Sequence, residues 1–194
     1  MTEFGALEKP VTMSHPSGEF TWGDGKSFVL FAGPDIIEDE GMVLETGREI
    51  QRVCKNLGIS WVLKCSFDKA NRQSATSFRG PGVKSALQSL DDIKSKLNCP
   101  LLTDVHETIQ VEETAKVADV IQIPAFLSRQ TDLMVAAAKT GKVIHIKKGQ
   151  FLAPWDMKAI AQKAVAAGNS KILLCERGTT FGYNRLINDM TGLV

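Results

Sequence analysis

Between residues 27 and 178, short apolar runs rich in β-branched residues alternate with longer segments whose apolar side chains recur at helical spacing. SFVLFAG (27–33), SWVLKCSF (60–67), PLLTDVHE (100–107), DVIQIPAF (119–126), KVIHIKKG (142–149) and KILLCERG (171–178) each read as a strand. In EGMVLETGREIQRVCKNLG (40–58), Met42, Leu44, Ile50, Val53, Cys54 and Leu57 fall near one face and Gly58 closes the end, which predicts a helix. VKSALQSLDDIKSKL (83–97), TDLMVAAAKTG (131–141) and DMKAIAQKAVAAG (156–168) behave alike. Strands alternating with amphipathic helices predict a parallel sheet covered by helices, over a domain from 27 to 194. Residues 1–26 precede it as an arm. Within it TMSHPSGEFTWGDGK (12–26), with alternating side chains around Asp24-Gly25, predicts a short hairpin or an irregular arm.

The sheet could be a doubly wound open sheet or a (β/α) barrel. No GxGxxG follows the first strand and no GxxxxGK[ST] occurs, so the common nucleotide signatures of open sheets are missing. Polar residues instead gather at the C-terminal strand ends: Asp35, Lys64 and Ser66, Asp104 and His106, Gln122, His145 and Lys147, Cys175 and Arg177. Pairs two residues apart point to the same side of a strand. In a barrel that side is the lumen, whose C-terminal mouth carries active sites. The pattern therefore favours a barrel.

Composition narrows the chemistry. The 194 residues are 43% hydrophobic with a formal net charge of +1, enough for one core and too balanced for a broad nucleic-acid or anionic-membrane footprint. Any anion site must be built locally. Cys54, Cys65, Cys99 and Cys175 lack CxxC spacing, which speaks against a zinc ribbon or dithiol motif and for reduced thiols in a cytoplasmic protein. No run approaches the roughly 20 apolar residues of a membrane span, and MTEFGALEKP lacks the apolar core of a signal peptide. The local concentration of charge is KCSFDKANRQSATSFRGPG (64–82), with cations Lys64, Lys69, Arg72 and Arg79 against the single anion Asp68. Small and hydroxyl residues surround them, the chemistry of a phosphate-binding loop.

That loop together with TDVHE, IQIPAFLSRQTDL, KKGQFLAPW and ERGTTFGYN resembles the 3-deoxy-D-manno-octulosonate 8-phosphate synthases, with the blocks in family order from about residue 28 to 190. They separate the chain from the related 3-deoxy-arabino-heptulosonate 7-phosphate synthases. The resemblance implies a (β/α)8 TIM barrel, with about six of its eight βα units in this chain, and a homo-oligomer, usually a tetramer. It implies condensation of phosphoenolpyruvate with arabinose 5-phosphate and water, a transferase reaction that releases phosphate. Lys64, Ser66, Lys69, Gln122, Lys147 and Arg177 would form the phosphoenolpyruvate site. Asn71 and Arg72 would meet the sugar phosphate side, with Asp104 near its hydroxyls and Arg129 reaching a neighbouring subunit's site, and Phe126 is a further implied substrate-binding residue. Lys69, Lys147, Asn71 and Asp104 are the implied catalytic groups, working by orientation and electrostatics. Cys65 and Cys175, with no histidine pairing, read as structural thiols.

The chain also departs from the family pattern. Asp35, in AGPDIIEDE, stands where metal-dependent members carry a cysteine ligand and metal-independent members an asparagine. The expectation is no cofactor, or a weakly held Mn, Mg or Fe(II) ion on Asp35. Gln73 replaces a small hydroxyl residue, and His145 stands where asparagine is common. Residues 179–194 leave no room for two more βα units, so the barrel is not expected to close within this chain. A longer chain or another chain would fill the gap, the rival reading being a shortened, inactive binding or assembly partner.

Overall fold

The computed structural model describes residues 9–193. An antiparallel hairpin, β1 (Val11–His15) and β2 (Gly18–Trp22), precedes the main sheet. β3 (Val29–Ala32), β4 (Ser60–Lys64), β5 (Leu101–Asp104), β6 (Val120–Ile123), β7 (Val143–Lys147) and β8 (Ile172–Cys175) then form one parallel sheet in sequential order. The connections carry α1 (Glu40–Leu57), α2 (Val83–Leu97), α3 (Val111–Val117), α4 (Thr131–Lys139) and α5 (Met157–Ala166). Two short strands, β9 (Thr179–Thr180) and β10 (Leu186–Ile187), pair beyond the sheet. Sequential order is the winding of a barrel, and the sheet curls into a half-barrel, with β3 and β8 as its edges among the described residues.

Strand alternation divides the side chains. Outward residues such as Trp61, Leu63 and Leu101 pack on α1 and α2, and Ile121, Ile123, Ile144 and Ile146 on α4 and α5. Inward, a lower layer of Val62, Leu102, Val120 and Val143 meets Val11 and Phe20 of the hairpin, with Met13 and Trp22 half-buried against it. The hairpin is therefore the floor of the half-barrel. Above that floor the inward positions turn polar: Lys64, Asp104, Gln122, His145, then Lys147 and Cys175. Helix ends follow local chemistry. Asp39 accepts from Met42 N at 2.7 Å to start α1, and Gly58 ends it at φ 66°.

The six main strands and four of the helices lie where the pattern predicts them, each strand ending a few residues early because its last residues bend into the mouth loops. Two expectations change. The hairpin turns at Pro16–Ser17, whereas Asp24-Gly25 lies after it, where Asp24 Oδ1 accepts from Lys26 N at 3.0 Å and Ser27 N at 2.8 Å and leads the chain into β3. α3 has no counterpart in the sequence pattern: at seven residues it is too short to display a helical period. Of the arm, residues 1–8 lie outside the described residues.

Candidate active site

The basic loop folds back on itself. Arg79 Nε donates to Asp68 Oδ1 at 3.0 Å, Lys69 N donates to Arg79 O at 3.0 Å, and Arg72 Nε donates to Phe78 O at 3.3 Å. Gly80, at φ +129°, lies so close to Phe67 that a Cβ there would meet Phe67 O at 2.3 Å. Of the four cations that the loop offers, Arg79 is thus consumed in closing it. Lys69 is turned inward: its Nζ lies 3.0 Å from Ser66 Oγ and 2.6 Å from Asp35 Oδ1.

A cavity of about 440 Å³ opens over the polar layer, walled by Lys69, Asn71, Arg72, Asp104, His106, Gln122, Phe126, Gln150, Lys147 and Arg177, with the turn 124–127 along one side. Eight residues expected from sequence meet there: Lys69, Asn71, Arg72, Asp104, Gln122, Phe126, Lys147 and Arg177. Ser66 stands just behind the wall, bonded to Lys69, and Lys64 lies close enough for its charge to act on Lys147. Arg129 is not brought to the cavity; its carbonyl accepts from Lys163 Nζ at 2.8 Å on the outer side of the 125–130 turn.

The wall carries four cations against one carboxylate. Burial lowers the Lys147 pKa, and the Lys64 charge adds to the effect. Burial alone would raise the Asp104 pKa, but the His106 and Ser66 hydrogen bonds and the Lys69 charge outweigh it and hold the carboxyl below its usual range. His106 Nε2 lies 3.1 Å from Asp104 Oδ2. The second oxygen of Asp104, His106 Nδ1, Gln122 Oε1 and Gln150 Oε1 are buried with no protein partner. Buried polar atoms of this kind are ordinarily satisfied, and the residues that carry them line the cavity beside its cations. It can hold an anion and hydroxyl groups together.

His106 and Gln150 were not assigned to the ligand by sequence reasoning. His106 shares the two-residue spacing that marked Asp104, and this was the available signal; Gln150 lies in the turn after β7, where no periodicity applies. Cys65 is fully buried and its thiol is pushed up to about 12 by burial, which suits a structural role. Asp35 gives its carboxylate to Lys69, and no cluster of three or more His, Cys, Asp or Glu side chains that could hold a metal occurs among the described residues.

A parallel sheet in sequential strand order, with a cavity lined by four cations at its C-terminal strand ends, defines the (β/α)-barrel class of fold. The chain belongs to the DAHP synthetase I family, whose match spans residues 8–194. It is 54% identical over 177 residues to a 2-dehydro-3-deoxyphosphooctonate aldolase of Fusobacterium nucleatum, covering 91% of this chain and 64% of the relative. Proteins of the same name from Pseudomonas putida (54% over 175 residues, 90% of this chain and 62% of theirs) and Marinobacter nauticus (57% over 167 residues, 86% and 59%) are similar. The chain thus spans a little under two thirds of the length of these curated relatives.

Proposed function

We propose that the cavity binds phosphoenolpyruvate beside arabinose 5-phosphate, and that the protein condenses them with water to 3-deoxy-D-manno-octulosonate 8-phosphate and phosphate. The observation that carries this reading is the mixed wall: Lys69, Lys147 and Arg177 suit a phosphate and a carboxylate, while the carboxylate of Asp104 and the amides of Gln122 and Gln150 in the same wall suit sugar hydroxyls. The relatives' shared name favours the octulosonate product over the heptulosonate one.

In this reading C3 of the enol attacks the sugar aldehyde, positive charge develops at C2, water adds there, and phosphate then leaves. No covalent nucleophile is required. Lys69, held by Ser66 and Asp35, orients the phosphate with Lys147 and Arg177, and Asn71, Arg72 and Phe126 receive the sugar phosphate end. Arg129 would serve a neighbouring copy in a homo-oligomer, a tetramer by family resemblance, working in the cytoplasm. No described helix is long and apolar enough to cross a membrane.

Calorimetric titration with phosphoenolpyruvate tests the assignment. Saturable binding is expected, weakened by roughly 1.5–3 kcal/mol in Lys147→Ala and in Arg177→Ala, the worth of a hydrogen bond to a charged group. Absence of saturable heat on folded protein, or unchanged affinity in both variants, would sink it.

A further inference from the structure

One residue beyond Lys147 stands a lysine that the cavity does not use. Lys148 is 2% exposed, and among the described residues no other lysine or arginine is fully buried. Its Nζ donates to Gly178 O at 3.0 Å, Thr179 Oγ1 at 3.0 Å and Leu152 O at 3.2 Å, with Glu176 Oε1 and Gly149 O at 3.5 Å completing the shell. Glu176 Oε1 in turn accepts from Gly178 N. Backbone bonds run beside it, from Lys148 N to Cys175 O at 2.9 Å and from Thr180 N to Gln150 O at 2.9 Å. The partners belong to two turns, 149–152 and 176–179, and Arg177 sits in the second turn between Glu176 and Gly178, both of which Lys148 contacts.

A buried ammonium is costly to desolvate and survives only when its protons are satisfied. Here the satisfaction is supplied entirely by the backbone and side chains that present Arg177 and Gln150 to the cavity. We propose that Lys148 is a positioning residue: it clamps the turn after β8 to the turn after β7 and so aims Arg177 at the anion that Lys147 also meets. The proposal rests on the anion-binding reading of the cavity, and misplacement of a contact by as little as about 1 Å is enough to lose much of its worth.

A double-mutant cycle separates positioning from simple stabilisation. Phosphoenolpyruvate and inorganic phosphate are titrated into the wild-type chain, Lys148→Met, Arg177→Ala and the double variant, each checked for a cooperative melt. Lys148→Met is expected to weaken binding roughly 10-fold or more when Arg177 is present and by less than about twofold when it is absent. Thr179→Val, which removes one acceptor and leaves the ammonium in place, should show a smaller loss with the same dependence on Arg177, and it carries the cycle should Lys148→Met not fold. Equal losses in both backgrounds, or no loss in either, overturn the proposal. Binding of inorganic phosphate without phosphoenolpyruvate overturns the substrate reading while the same cycle, run with phosphate, still judges Lys148. Failure to bind either anion overturns both.

Discussion

Lys147 illustrates how burial prepares a side chain for an anion. Its lowered pKa, caused first by burial and then by Lys64, means that the ammonium is held at a cost that an incoming negative charge offsets. Anion affinity should therefore be complete while Lys147 is protonated and fade as pH rises through its lowered pKa, earlier than for a lysine in water. Titration of phosphoenolpyruvate at stepped alkaline pH checks this, and Lys64→Met should move the onset upward. His145, just below, has its pKa pushed down to about 4 by burial, with Lys147 and Lys64 adding to the effect. The unfolded chain then takes up a proton near 6.5 that the fold refuses, so stability present above that pH is lost as pH falls toward 4, by roughly 3 kcal/mol in all. Denaturant titrations of His145→Asn between those limits should show a flatter decline than wild type. For Asp35, already engaged by Lys69, dialysed protein should carry no stoichiometric zinc by elemental analysis. Spacing made Asp104, Gln122 and Lys147 legible because strand alternation is a rule of two. It gave no role to Lys148 and did not foresee that Asp68 would claim Arg79, since both depend on which turns meet in space.

Elements were legible in proportion to their length. α1, with 18 residues and a cap at each end, announces itself in sequence, whereas the seven residues of α3 do not. The hairpin was visible as an element but its turn was assigned to Asp24-Gly25, because that dipeptide is the stronger local signal; burial of Val11 and Phe20 under the barrel sets the register instead, turning the chain at Pro16–Ser17. The basic loop depends on tertiary contact as well. Its fold hinges on Gly80, where both the positive φ and the approach to Phe67 O exclude a side chain. Gly80→Ala should cost roughly 1–3 kcal/mol of stability, or else loosen the loop. In the second case the melting temperature holds while phosphoenolpyruvate affinity falls, because Lys69 and Arg72 are carried on the loosened segment; parallel thermal melts and calorimetry distinguish the two. A variant unchanged in both would remove Gly80 from this account.

The six strands of the described residues form an open curve. β3 and β8 each present an edge without a sheet partner among the described residues, and Phe126, Phe151, Trp155, Phe181 and Tyr183 stand exposed around the mouth. Exposed apolar groups and sheet edges favour association. The 194-residue polypeptide is expected to sediment as a multimer, with Phe181→Ser and Tyr183→Ser shifting it toward monomer; a strictly monomeric wild type across the micromolar range would contradict this. The barrel winding was readable because six strands delivered polar groups to one rim. How the hairpin and the sheet meet was not, since no local pattern encodes contact between residues 11–22 and strands as far along the chain as Val143 and Leu173. That meeting has an optical consequence. Trp22 lies stacked on Phe31 with ring centroids 5.7 Å apart, and Phe31 in turn touches His145 directly under the cavity. Of the three tryptophans, Trp61 is locked among outer-face residues and Trp155 is open to solvent, so Trp22 emission alone looks into the interior of the curve. A chain keeping only that indole would fluoresce as a gauge of whether the floor is seated, and dimming on acidification would date the charging of His145 in real time.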